Sequence, residues 1–183
     1  MKKLYLIIAL LAGSICAKAQ MIAVNTNLAS DALAIPDLGV EMVIGNRSTI
    51  GLNMLGAYKP HGKNAKGFAL QPEYRYWFGG RPMNHHFVGI GGLLGTYEAE
   101  WKSKMYKGDA VGLGLTFGYV FNLSRRLAID CHAGLGLVRY HQKVYIQGPN
   151  NTEIYTGPRT YKSETGNALI PTKIGISFMY IFR

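Results

Sequence analysis

Cysteine is nearly missing from this 183-residue chain: Cys16 and Cys131 are the two residues of that type. Cys16 falls in a stretch that reads as a removable leader, so one thiol remains. That excludes an internal disulfide and a cysteine-based metal cluster. Acidic side chains are scarce, ten against twenty Lys and Arg, for a formal net charge of +10. Beyond the first twenty residues there is no apolar run long enough for a membrane helix, and few segments carry a helical period. Glycine, at 23 residues, and aromatic side chains, at 11%, are plentiful instead. A chain rich in Gly and Tyr without helical periodicity points to β structure.

The first residues have the parts of a secretory signal. Lys2 and Lys3 give a charged start, LYLIIALLAG is a short apolar run, and Ala17-Lys18-Ala19 is a small-x-small cleavage site. The expected mature chain begins at Gln20, one domain spanning 20–183. Ile15 before Cys16 is a poor fit to a lipoprotein signal. Cleavage also removes Lys2, Lys3 and Lys18, which lowers the formal charge from +10 to about +7.

Read with period two, the remainder breaks into eight segments: about 21–28, 38–45, 49–58, 68–78, 86–101, 111–123, 127–145 and 172–182. In the sixth, Val111, Leu113, Leu115, Phe117, Tyr119 and Phe121 alternate with Gly112, Gly114, Thr116 and Gly118. In the eighth, Ile174, Ile176, Phe178, Tyr180 and Phe182 oppose Lys173, Gly175 and Ser177. Each segment has one bulky apolar face and one small or polar face. A sandwich buries its bulky faces and leaves polar groups to water; faces this rich in glycine look crowded instead. Apolar-out, polar-in strands of about ten residues are the signature of an outer-membrane barrel. The bilayer permits no open alternative, because unpaired edges are too costly in hydrocarbon.

Connection lengths agree. Asn46–Ser48, Gly79–His85 and Ser124–Arg126 are short; the stretches 29–37, 59–67, 102–108 and 146–171 are long or highly charged. Short turns on one end and longer loops on the other suit such a barrel. The fold expected is an eight-stranded antiparallel up-and-down transmembrane β-barrel, preceded by the signal peptide.

An eight-stranded barrel is just wide enough for side chains to fill it. The inward charges expected are Glu41, Glu73 and Asp130 against Arg75 and Lys173, with His132 nearby. Buried charges must be paired, so these six form an expected interior polar network in a plugged, non-conducting lumen.

NTNLASDALAIPDLGVE (25–41) followed by QPEYRYWF (71–78) resembles the domain-of-unknown-function family 3575, mostly from Bacteroidota and described as outer-membrane-barrel-like. The resemblance covers most of residues 21–183. It implies a place in the cell envelope and no activity. Some relatives lie near fimbria-type genes, which implies a surface-assembly partner.

Other motifs have plainer explanations. Gly89–Gly92 and Gly112–Gly114 match no nucleotide fingerprint and precede no helix. His85-His86 lacks a third ligand, so no metal is expected. Glu73 with Glu41 or Asp130 is better explained as structural than as an acid–base pair. No catalytic residue and no cofactor is expected. Lys59, Lys63, Lys66, Lys102, Lys104 and Lys107 make the outer loops basic; they provide solubility or face lipopolysaccharide phosphates. Outer-membrane lipids are thus the expected partners, and nucleic acid is not. Trp77, Phe78, Phe121 and Tyr180 at one end, and Tyr97, Trp101 and Tyr106 at the other, suit two aromatic girdles. Two readings compete. An outer-leaflet lipid-modifying enzyme needs a Ser/His/acid cluster at the outer rim, where His141 stands without an evident serine and acid. A soluble periplasmic barrel holding a small apolar ligand needs every face reversed.

Overall fold

The computed structural model describes residues 21–60, 64–101, 104–146 and 161–182. Among them eight strands follow one another: β1 (Ile22–Asn27), β2 (Asp37–Val43), β3 (Ser48–Tyr58), β4 (Ala65–Trp77), β5 (His85–Trp101), β6 (Lys104–Asn122), β7 (Leu127–Ile146) and β8 (Tyr161–Phe182), with one short helix, α1 (Leu28–Ala32). Every neighbour is antiparallel, and β1 pairs with β8 to close the ring. The expected strand number and up-and-down order are those found. The proposed leader, residues 1–19, lies outside the described residues.

The ring's stagger follows from the ladder. The hydrogen-bonded row that starts at Ile22 passes Met42, Ile50, Tyr74, Ile90, Leu115 and Leu135 and reaches β8 at Pro171. Across the seam Ile22 pairs with Phe182, eleven residues further along β8, one of which is absorbed by the irregularity at Gly134/Leu135. A stagger of about ten over eight strands, with a rise of ~3.3 Å and a spacing of ~4.8 Å, sets a tilt of about 40°. Each residue then climbs about 2.5 Å along the axis.

Side chains alternate as the sequence predicts. Outward positions are bulky and exposed: Leu113 is 69% exposed, Phe117 62% and Ile176 50%. Inward positions are polar or small, and Arg75 is 3% exposed. The reversed faces that a soluble ligand-holding barrel needs are not found. Along β3–β8 the outward apolar residues form a band about 25 Å tall, taken from the climb per residue, and along the shorter β1 and β2 they cover about its lower half. It ends in one ring of polar and charged positions, Lys66, Thr96, Asp109 and Arg139.

Three short turns mark one end. Ile44 N and Gly45 N donate to Ser48 O, and Leu123 N and Ser124 N to Leu127 O. The β4–β5 turn needs left-handed backbone at Gly80 (φ 75°), where glycine meets no steric cost. Met83 (φ 58°) and His85 (φ 64°) adopt it too. Such strain persists where the surroundings fix it, and Met83 is held by burial at the turn end of the lumen.

The long connections differ from the expectation. β8 begins at Tyr161, not near 172, and β6 at Lys104, so much of the expected 146–171 and 102–108 loops is strand. Residues 147–160 lie outside the described residues. The 29–37 stretch holds α1, whose first turn is capped by Asn27: Ala29 N donates to Asn27 Oδ1 (3.1 Å). The same amide donates from Nδ2 to Ile174 O on β8 (3.2 Å) and so ties the helix to the wall.

Candidate functional site

The lumen is filled in three strata. At the turn end lies an apolar plug of Trp77, Met83, Phe87, Val120, Met179 and Ile181, closed by Ala23 and Ala128. Trp77 therefore does not belong to an aromatic girdle. It shares parity with Glu73 and Arg75, is wholly buried, sits 4.9 Å from the Phe87 ring and donates from Nε1 to Thr49 Oγ1 (2.9 Å). Gly118 makes room for that ring, since a Cβ there would lie 2.4 Å from Phe87.

The middle stratum is ionic, with Arg75 at its centre. Its Nε donates to Glu73 Oε2 (2.9 Å), and its Nη1 to Glu41 Oε2 (3.1 Å) and Asp130 Oδ2 (2.8 Å). The guanidinium carbon stands 4.3 Å from the centroid of Phe87, so the plug supports the cation from below. Lys173 Nζ donates to Glu73 Oε2 (2.7 Å) and Asn53 Oδ1 (3.1 Å). His132 Nδ1 lies 3.4 Å from Asp130 Oδ1. The six residues Glu41, Glu73, Arg75, Asp130, His132 and Lys173 thus meet in one cluster. Gly89 leaves space for it: a Cβ there would lie 2.6 Å from Glu73 Oε1.

Five further buried residues join the network beyond the six expected. Thr49 Oγ1 donates to Glu41 Oε1 (2.6 Å), and Asn53 Nδ2 donates to Asn25 Oδ1 and Asp37 Oδ1 (each 3.1 Å). Gln71 Nε2 donates to Thr172 O (2.8 Å). Parity alone places all five inside. Glu41, Glu73 and Asp130 each accept from a cation, and Asp37 from the Asn53 amide, a geometry suited to cross-bracing the strands. The cavity beside Glu73 and Lys173 measures about 20 Å³, room for a single water at most.

The third stratum, toward the loop end, is apolar and open. A cavity of about 260 Å³ is walled by Ile35, Leu55, Ala57, Ala69, Leu93, Gly95 and Ala110. Above it Tyr97 Oη donates to Gln142 Oε1 (2.8 Å), and Gln142 Nε2 to Glu164 Oε2 (3.2 Å). Tyr97 therefore faces inward and is not part of an outer girdle.

Outside, at the loop end, the lysines are divided. Lys66 and Lys107 lie in β4 and β6 and not in loops; Lys107 Nζ is 3.4 Å from Glu98 Oε1. Lys59 and Lys66 stand over the Tyr58 ring at 6.0 and 5.4 Å. Lys104 is a strand residue, and Lys63 and Lys102 lie outside the described residues. An outer concavity of about 640 Å³ is lined by Lys66, Phe68, Lys107, Asp109, His141 and Lys143, among others. His141 Nδ1 is 2.7 Å from Thr165 Oγ1, and Asp109 is the register partner of His141. The acid and hydroxyl that His141 lacked in the sequence are thus its cross-strand neighbours. His85 and His86 both pack edge-on against Tyr119. Among the described residues no three His, Cys, Asp or Glu side chains gather as a metal site.

A family model described as a protein of unknown function (DUF3575) matches residues 5–182, the family that the 25–41 and 71–78 stretches resemble. No curated protein and no solved structure matches the chain.

Proposed function

The chain belongs to the DUF3575 family, and from that premise and the geometry above we propose that it is an outer-membrane barrel with a structural or surface-interaction role. The observation that carries this reading is the continuous outward apolar band. A soluble monomer rarely exposes apolar patches beyond a few hundred Å², whereas this band runs round the ring and along β3–β8 has about the 25 Å height of a barrel's lipid-facing girdle. In this reading the leader directs export with cleavage after Ala19, and the short turns and both termini face the periplasm. The plug and the Arg75 cluster block conduction. Lys66, at the upper border of the band, and Lys107 and Lys143, just above it, meet the phosphates of outer-leaflet lipid, lipopolysaccharide in a Gram-negative envelope. The tall β5–β8 wall presents surface to a partner, a fimbria-type protein being one class.

The test is membrane fractionation with heat-modifiable gel mobility. The protein is expected in the outer-membrane fraction, with a mobility shift on boiling and no conductance steps in planar bilayers. Recovery in the soluble periplasm without a shift refutes the membrane reading.

The Asp109–His141–Thr165 row favours a second reading, an esterase acting on outer-leaflet lipid. His141 would take the Thr165 hydroxyl proton as that oxygen attacks an acyl carbonyl, would return it to the departing alcohol oxygen as the ester C–O bond breaks, and would then activate the water that hydrolyses the acyl-enzyme. Acyl release that His141→Ala and Thr165→Val both abolish supports it; release that survives both variants refutes it.

A further inference from the structure

The wall of the ring is uneven in height, and its low side opens onto the upper lumen. β2 pairs with β3 no higher than Asp37–Leu55, where Gly56 N still donates to Pro36 O (3.0 Å). Across the seam the β1–β8 ladder ends at Asn27–Ser177, although β8 continues to Tyr161. By the climb per residue, β1 stops about 12 Å and β2 about 15 Å above the turn-end border of a band about 25 Å tall. Between β3 and β8 the upper half of the band therefore lacks a strand-built wall. α1 packs against β8 there. Exposed Ile174 and Leu169 on β8 show that this free edge is still at apolar height.

An open sheet edge is tolerated at such depth only where protein buries it or it lines a water-filled cavity, so here the cover must be protein. The segment at the opening is LASDALAIP, with Leu28 and Leu33 exposed. Ile35, from the same segment, lines the 260 Å³ cavity behind it. A cavity of roughly 150 Å³ already takes up benzene. The walls are mostly aliphatic side chains and glycine, with Phe68, Thr96 and Tyr97 at the upper side, and offer water few partners.

We infer that this chamber is a binding site for one acyl chain of an outer-leaflet lipid, which enters sideways between β3 and β8 past Ile35. The occupant follows from continuity: the opening faces the same band that lipid chains cover. The Tyr97–Gln142–Glu164 hydrogen bonds run along the inner wall of β5–β8 above the chamber, opposite the low side where β1 and β2 end. The inference rests on the membrane reading proposed above.

Two tryptophan reporters separate the two ideas. Tyr97→Trp looks into the chamber, and Leu94→Trp looks out from the band. Each is reconstituted in phosphatidylcholine vesicles with and without brominated acyl chains, and emission is taken as the difference from the parent chain. Both reporters are expected to lose most of their added emission in brominated vesicles, and Ala110→Phe, which fills the chamber, restores that of Tyr97→Trp alone. An unquenched Leu94→Trp refutes the membrane reading. A quenched Leu94→Trp with an unquenched Tyr97→Trp overturns the chamber site and leaves the membrane reading standing. Quenching of Tyr97→Trp that survives filling also overturns it. If Ala110→Phe does not give the heat-modifiable band, Ala57→Leu replaces it.

Discussion

Replacing Arg75 by methionine keeps an unbranched, fairly long side chain over the Phe87 ring and removes the charge. Three hydrogen bonds to carboxylates go with it. Glu73 keeps Lys173 at 2.7 Å, and Glu41 keeps the Thr49 hydroxyl at 2.6 Å. Asp130 keeps only the His132 contact at 3.4 Å. Glu41 and Asp130 thus become buried carboxylates without their principal cation. Breaking a buried pair in this way costs about 3–5 kcal/mol, and the expected loss is in that range. Denaturant unfolding of the refolded barrel in lipid vesicles, followed by heat-modifiable mobility, measures it. The triple neutralisation Arg75→Met, Glu41→Gln, Asp130→Asn is expected to recover most of the loss, because the stranded charges are then gone. A loss under about 1 kcal/mol for Arg75→Met, or no recovery in the triple variant, contradicts the assignment of this cluster as the ionic brace of the lumen.

Leu115→Arg, at mid-band, is expected to destabilise the barrel by about 2–4 kcal/mol in vesicles, and Thr165→Arg, above the band, by about 0–1 kcal/mol; equal effects would remove the depth dependence on which the membrane reading relies. Gly118→Val drives a side chain into Phe87 and the Cys131 carbonyl, and equilibrium unfolding is expected to show a loss of about 1–3 kcal/mol. Trp77→Ala opens the plug and is expected to cost about 3–5 kcal/mol in the same assay, whereas a girdle tryptophan would cost far less.

Period-two alternation carried most of the architecture, since every strand crossing the apolar band needs bulky residues outward. It gave way where that need ends. Residues 163–167 and 107–109 carry polar or small residues on both faces because they rise beyond the band, so nothing in their pattern separates strand from loop. At the turn end the alternation lapses the other way: Tyr76-Trp77-Phe78 and Phe178–Phe182 are apolar on both faces. That lapse was the available sign of the plug. Trp77, an aromatic near a strand end, suits a girdle by position, but its parity with Arg75 points inside. The charged members of the polar cluster were legible from parity and charge. Asp37, Asn25, Asn53, Thr49 and Gln71 carried the same parity but no net charge pattern to mark them, Asp37 excepted. The Asp109–His141–Thr165 row depends on register across three strands, which no local pattern encodes.

The β1–β8 seam also has a bearing on the order of events in time. Ile22 meets Phe182, so the join that completes the ring links nearly the whole length of the polypeptide. Contacts between such distant residues are slow to form. The ring stays unclosed until the final six paired positions arrive, and a nascent chain truncated before Ser177 has no partner on β8 for β1 to find. Closure of the cylinder thus hangs on the same few residues that pair across the seam.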